Sequence, residues 1–321
     1  MRARWFGRAD PPAQTPPARP IREAMSHVII LDGTMSRLWP GHETNAGLTF
    51  KLLQEVPRGV TLYYAPGLQW TDWRAAGAVL LGRGINAQIS DAYGALASRY
   101  RPGDRIYLLG YSRGAYAVRS LAGIIDQIGL LRADAATERH ITRIYHHYRL
   151  DPQSAAARTF AKLHCHTGSE HPVAIEMIGV WDTVKALGLN LPFARGLAKS
   201  QHAFHSHALG PSVRHGFHAL ARDETRHAYA PVMWETAQDW PGHVEQMWFR
   251  GSHGDIGGQL SGYLAARPLS NIPLVWMLEK LEQCDLPLPA GWRGRFVQDP
   301  MAPSAGTWRG YSGLFLPRRR R

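Results

Sequence analysis

The stretch that most restricts the fold runs from Asp104 to Ile125, DRIYLLGYSRGAYAVRSLAGII. Ile106 to Leu109 form an unbroken apolar run after the turn-like Arg101-Pro102-Gly103-Asp104, the pattern of a strand buried on both faces of a parallel sheet. Gly110-Tyr111-Ser112-Arg113-Gly114 then fits G-x-S-x-G, and Ala115, Ala117, Val118, Leu121, Ala122 and Ile125 follow at helical spacing. The pentapeptide therefore stands between a strand and a helix, where a sharp turn throws a serine hydroxyl out at the top of a sheet. Such a turn strains the serine backbone, and flanking side chains would strike the neighbouring strand and helix. Gly110 and Gly114 remove those collisions. The helix would point its N-terminus at the serine and leave the Arg113 N–H free for a developing oxyanion. An ordinary glycine-rich turn is the alternative reading.

The rest of the chain extends this pattern. Ser26 to Leu31 reads as a first strand ending in Asp32-Gly33-Thr34. The D-x-D-G-T of aspartate-dependent phosphatases resembles this sequence, but Ile30 occupies the place of their nucleophile. In a serine mechanism the loop after an early strand supplies the second oxyanion donor, here the N–H of Gly33 or Thr34; the alternative is a plain Asx-type turn. Val60 to Tyr64 is a second strand, 65–84 a loop rich in Gly and Trp, and Ile85 to Tyr100 a helix. This alternation predicts an α/β fold, a mostly parallel sheet flanked by helices.

Residues 129–172 read as a polar helical insertion with six histidines, and His164-Cys165-His166 has ligand types at alternate positions without a second pair at zinc spacing. Val173 to Trp181 returns to strand, with Asp182 at its end, where open parallel sheets place their chemistry; a turn or capping role competes. Residues 185–210 form a low-charge candidate lid, and Val213 to Ala221 reads as helix. His243 to Phe249 is a further strand, followed by Arg250-Gly251-Ser252-His253-Gly254-Asp255-Ile256-Gly257-Gly258, read as a tight mobile loop. The chain order Ser112, Asp182, His253 is one that catalytic triads use; Asp255 is a rival acid better suited to bracing the loop. Leu269 to Cys284 is a last amphipathic helix with Pro273 near its start, and the remainder is expected to coil along the surface.

Length and charge bound the rest. A chain of 321 residues suits one domain over 26–316 between two tails. The formal net charge is +12, but residues 1–25 carry +3 and residues 309–321 carry +5. Basicity thus belongs mostly to an Arg- and Pro-rich first segment, expected to be disordered, and a final tail including 317–321; a nucleic-acid groove is not implied. Cys165 and Cys284 are too few for a disulfide framework, no apolar run is long enough to span a membrane, and the start lacks a secretory apolar core. A cytoplasmic protein is expected, with translation starting at Met1 or at Met25, directly before the first strand.

ILDGT at 30–34, PGDRIYLLGYSRGAYAVRSLAGII at 102–125, IGVWDTVKALG at 178–188 and WFRGSHGDIGG at 248–258 resemble the catalytic domain of type VI secretion phospholipase effectors of the first lipase class. These belong to a wider bacterial and fungal α/β-hydrolase family long filed as a domain of unknown function. The resemblance implies a Ser-Asp-His triad on Ser112, Asp182 and His253, the residues reached above, and export by a type VI-like system. The expected activity is cleavage of a carboxylic ester, of a lipid or phospholipid, through an acyl-enzyme and without cofactor or metal. Contact with a membrane surface is expected, and nucleic acid is not. Competing readings are a non-catalytic scaffold that binds anionic membrane or nucleic acid through its tails, and a zinc hydrolase using the histidine-rich insertion. Asp32 and Asp255 are secondary candidates that would meet beneath the site around a cation.

Overall fold

A computed structural model describes residues 22–67, 83–166, 173–184 and 208–308. The tails 1–21 and 309–321, most of the loop at 65–84 and the candidate lid up to 207 lie outside the described residues. Six strands form one sheet in the order β2-β1-β3-β4-β5-β6: β1 (Ser26–Leu31), β2 (Val60–Ala65), β3 (Arg105–Tyr111), β4 (Ile175–Trp181), β5 (Val213–Ala221) and β6 (His243–Phe249). Every pairing is parallel. β1, β3 and β4 are buried along almost their whole length, which is why their sequences are continuous apolar runs rather than alternating ones.

The pleat sorts these strands into two cores. On one face Ile29, Leu31, Ile106, Leu108, Ile178 and Val180 pack against α2 (Arg83–Ala97) and α3 (Arg113–Gln127) through Ile89, Tyr93, Leu96, Val118, Leu121 and Ile125. On the other, Val28, Ile30, Tyr107, Leu109, Met177 and Trp181 meet Leu52 and Leu53 of α1 (Asn45–Leu53) and Leu274, Met277 and Leu278 of α7 (Arg267–Gln283). The result is a three-layer α/β-hydrolase-like fold. Strand order reverses between β1 and β3, so the crevice at their carboxyl ends is the place for a ligand.

Some segments differ from the sequence reading. Val213 to Ala221 is strand β5, not helix. Its apolar residues at 213, 217, 220 and 221 also satisfy a helical period, but Phe217 and Ala219 point alternately to the α7 side while the backbone pairs with β4 and β6. The insertion holds α4 (Glu138–Leu150) and α5 (Ala155–His164), and it is less solvated than its composition implies: Ile144, Tyr148 and Phe160 join the main core. Pro273 lies inside α7, where its carbonyl accepts the Trp181 indole N–H at 3.2 Å. The segment after α7 does more than coil, since Trp292, Ala302 and Ala305 are buried.

Candidate active site

The turn at Ser112 is built from backbone. Ser112 ends β3 and caps α3 with φ +57° and ψ −117°, a strained combination for a non-glycine residue, and its hydroxyl makes no capping bond. A Cβ on Gly114 would stand 1.9 Å from the Leu31 carbonyl oxygen, and one on Gly110 would stand 2.6 Å from the Ala115 Cα. The strand and helix approach this closely only because both positions lack a side chain. The Ser112 N–H donates to the Trp181 carbonyl at 3.1 Å, which ties the turn to the end of β4.

Asp182 follows directly on β4 and is also left-handed, φ +44°. Its N–H continues the ladder to Ala219 O at 2.8 Å, and its Oδ1 accepts the Ala221 N–H at 3.0 Å. The next N–H, of Thr183, donates to Nε2 of His218 at 3.2 Å. His218 is fully buried, so burial, with Arg119 nearby, holds its pKa down to about 3 and keeps it a neutral acceptor. Its Nδ1 then carries the proton and faces Gln246 Oε1 at 3.4 Å.

His253 opens α6 (His253–Gly257), a short helix where the glycine-rich sequence reads as a loop. The reason is a capping box: Asp255 Oδ2 accepts both the N–H and the hydroxyl of Ser252 at 2.8 Å. Asp255 also accepts Ser304 Oγ at 2.5 Å and the Ala305 N–H at 2.7 Å, pinning the C-terminal segment to this helix. The His253 N–H donates to Glu224 Oε2 at 3.1 Å. Glu224 is held in turn by Arg226, at 2.7 Å from Nε and 2.6 Å from Nη2, in an ion pair with both side chains almost wholly buried. Burial alone would raise the Glu224 pKa; the bonds from Arg226 outweigh it and hold the carboxyl below its usual range. The Tyr229 ring lies under the Arg226 guanidinium, 4.0 Å from its carbon to the ring centre, and 4.5 Å from the His253 ring.

These parts converge. His253 Nε2 is 2.9 Å from Ser112 Oγ, and its Nδ1 is 2.6 Å from Asp182 Oδ2. A serine hydroxyl, an imidazole and a buried carboxylate in this sequence of contacts can relay a proton away from the serine.

The other expected residues divide. Asp32 does not reach the imidazole: it accepts Gly33 N–H at 2.6 Å, Thr44 Oγ1 at 2.6 Å and Tyr64 OH at 2.7 Å, and burial raises its pKa. This commits the Gly33 N–H, one of the two expected second oxyanion donors. Thr34 is the other; its carbonyl is anchored by Gln259 Nε2 at 2.9 Å, and its buried hydroxyl has no hydrogen-bond partner among the described residues. Asp32 and Asp255 are each filled by their own donors, and among the described residues no three His, Cys, Asp or Glu side chains gather around a metal position. His164 stacks on His140, Cys165 points inward with its thiol pushed up to about 12 by burial, and His166 packs on Tyr100. The three therefore diverge.

Sequence reasoning did not single out Glu224, Arg226, Tyr229, His218 or Ser304. The Ser252-x-x-Asp255 spacing is a legible capping signal, but Glu224 stands 29 residues from its histidine and has no local signature.

Known proteins give the context. Residues 26–280 match the family described as the catalytic domain of type VI secretion Tle1-like phospholipase effectors. An uncharacterised protein of Saccharomyces cerevisiae, YEL023C, is 27% identical over 186 residues, which is 50% of this chain and 27% of the yeast protein. Among solved structures, an uncharacterised protein from Pseudomonas aeruginosa aligns over 86% of this chain and 49% of its own, with 16% identity and a TM-score of 0.46. A Tle1 effector bound to the VgrG spike of the type VI system aligns over 75% of this chain and 52% of its own, with 16% identity and a TM-score of 0.41. The chain thus spans about half the length of these structures and about a quarter of the yeast protein. No described helix is long and apolar enough to cross a membrane. With its family match running from the first strand into α7, the chain belongs to the Tle1-like phospholipase effector catalytic-domain family.

Proposed function

We propose that the chain is a serine hydrolase that cleaves a carboxylic ester of a lipid, with phospholipid as the favoured class. The observation that carries this reading is the unbroken contact path from Ser112 Oγ to His253 Nε2, 2.9 Å, and from His253 Nδ1 to Asp182 Oδ2, 2.6 Å. Ser112 attacks the ester carbonyl while His253 takes its proton; Asp182 holds the Nδ1–H tautomer and stabilises the imidazolium. The tetrahedral oxyanion is received by the Arg113 N–H at the start of α3 and by Thr34, through its N–H or its unpartnered hydroxyl. His253 then protonates the leaving alcohol, and water, activated by the same imidazole, releases the acyl group from Ser112. Membership of a phospholipase effector family supports the lipid substrate and type VI export.

A fluorophosphonate probe followed by peptide mass spectrometry tests the reading. Labelling of Ser112 in the wild type and its loss in Ser112→Ala is expected, together with turnover of p-nitrophenyl or phospholipid esters that falls by about 10⁴-fold or more in Asp182→Asn and Ser112→Ala. A folded protein that takes no label and hydrolyses no ester would reject it.

A further inference from the structure

Four arginines lie largely within the protein, Arg267 being the partly exposed one, and three of them are paired. Arg119 donates to the Val232 and Met233 carbonyls, Arg226 to the Glu224 carboxylate, and Arg267 to the carbonyls of Glu43 and Gly258 and to Asn45 Oδ1. The fourth, Arg113, is only 6% exposed, and among the described residues its guanidinium makes no hydrogen bond or ion pair, the Tyr229 phenol being its one electrostatic partner. A guanidinium does not shed its proton at physiological pH, so burying one without a partner is unfavourable, as for any uncompensated ion. An anion reaching that position would supply the missing counter-charge.

The location says which anion. Arg113 immediately follows Ser112 and is the first residue of a fifteen-residue helix, whose N-terminal N–H groups and dipole add to the positive potential. Its electrostatic neighbour is the Tyr229 phenol, and the Tyr229 ring in turn packs 4.5 Å from the ring of His253. Ser112, the residue before it, is equally enclosed at 7% exposed.

We propose that the Arg113 side chain forms an anion subsite beside the nucleophile, which receives an oxyanionic group, phosphate or carboxylate, carried by the substrate near its scissile ester. The proposal rests on the reading of Ser112 as nucleophile for its substrate, but not for its binding. A planar guanidinium accepts two oxygens of such a group side by side, which orients the ester as well as attracting it. The substrate class is then an anionic ester rather than a neutral one.

Two kinds of measurement test this on the full chain. Dimethyl phosphate and acetate, as separate probes, are titrated by calorimetry and by thermal melting into wild type, Arg113→Gln and Arg113→Lys. At least one probe is expected to bind the wild type and raise its melting temperature, with affinity falling tenfold or more in Arg113→Gln and less in Arg113→Lys. Dimethyl phosphate alone would identify a phosphodiester subsite, and acetate alone a carboxylate subsite. In the absence of anion, Arg113→Gln is expected to be at least as stable as wild type in urea, because it removes an uncompensated charge. Binding of neither probe, binding that survives in Arg113→Gln, or a destabilised Arg113→Gln would each overturn the proposal; the last would mean that the guanidinium has a structural partner. For turnover, the ratio of kcat/KM for an anionic ester to that for its matched neutral ester is expected to fall at least thirtyfold in Arg113→Gln. Anion binding that depends on Arg113 in a protein without ester turnover would leave the subsite standing and reject the hydrolase reading.

Discussion

The two halves of the candidate triad are held by different means. Ser112 and Asp182 are fixed by main chain: each ends a central parallel strand, each is left-handed, and each bonds the neighbouring strand through its own N–H. His253 lies on a helix of five residues whose position depends on side-chain contacts: Glu224 to its N–H, Ser304 to Asp255, and the helix's own capping box between Asp255 and Ser252. The sheet sets the candidate nucleophile and acid with the precision of a strand register. The base depends on buried polar contacts, which are costly when half satisfied. Substitutions that displace main chain should therefore fail globally on the first half, and those that remove a side-chain contact should fail selectively on the second.

Gly114→Ala is the sharpest test on the sheet side and carries the largest expected effect. Its Cβ would meet the Leu31 carbonyl oxygen at 1.9 Å, with backbone on both sides and no flexible side chain to yield. Separating β1 from α3 would consume much of the ~5–15 kcal/mol that holds a domain together. Insoluble protein, or loss of a cooperative urea transition, is the expected outcome; a variant with near-native stability would break the claim that main chain fixes this half.

Glu224→Gln comes next. It keeps the shape of the side chain but leaves the Arg226 guanidinium buried without its counter-charge, which costs roughly 3–5 kcal/mol when one partner of a buried pair is removed. The variant should remain folded at low temperature, with a urea midpoint well below wild type, and its fluorophosphonate labelling at Ser112 should slow more than its loss of folded population explains. Labelling that tracks folded population alone would mean that Glu224 supports the fold without orienting His253.

The same division decides what the sequence reveals. β3, Ser112, β4 and Asp182 are legible because a fully buried parallel strand must be apolar throughout and its functional residue must follow its last apolar position. β5 is not, because VRHGFHALA satisfies both a helical and a strand period, and only its pairing between β4 and β6 decides. His253 is legible by chain order, but its support is not: Glu224 and Ser304 are 29 and 51 residues away, polar residues with no periodicity to mark them. The Gly33 N–H shows the same gap, since no spacing predicts that Asp32 turns back on it.

A third test uses pH on the acid side, at His218. Its pKa is held near 3 in the folded protein against an ordinary 6.5, so between those values the unfolded chain binds a proton that the folded chain refuses. Stability therefore rises with pH across that window and is lost as pH falls through it. From pH 7 to pH 4 this one group removes roughly 3 kcal/mol. In His218→Gln, whose amide oxygen can still accept the Thr183 N–H, urea titrations should show a shallower acid limb by about that amount. Equal acid limbs in the two proteins would mean that His218 is protonated in place and that the Asp182 turn does not depend on its neutrality.

Ser304→Ala is the finest of these tests, and its activity readout matters more than its size. The substitution removes the hydroxyl bond to Asp255 and the acceptor of the Gly306 N–H, each worth about 1 kcal/mol, and leaves the Ala305 N–H and the Ser252 capping box in place. The midpoint of unfolding should fall only slightly. If His253 is held by the sum of these side-chain contacts, labelling of Ser112 should slow measurably, because loosening the C-terminal segment lets α6 sample positions in which Nε2 leaves the hydroxyl. If labelling is unchanged while stability falls, the capping box alone sets the helix, and the segment at 304–306 contributes to the fold without tuning the base.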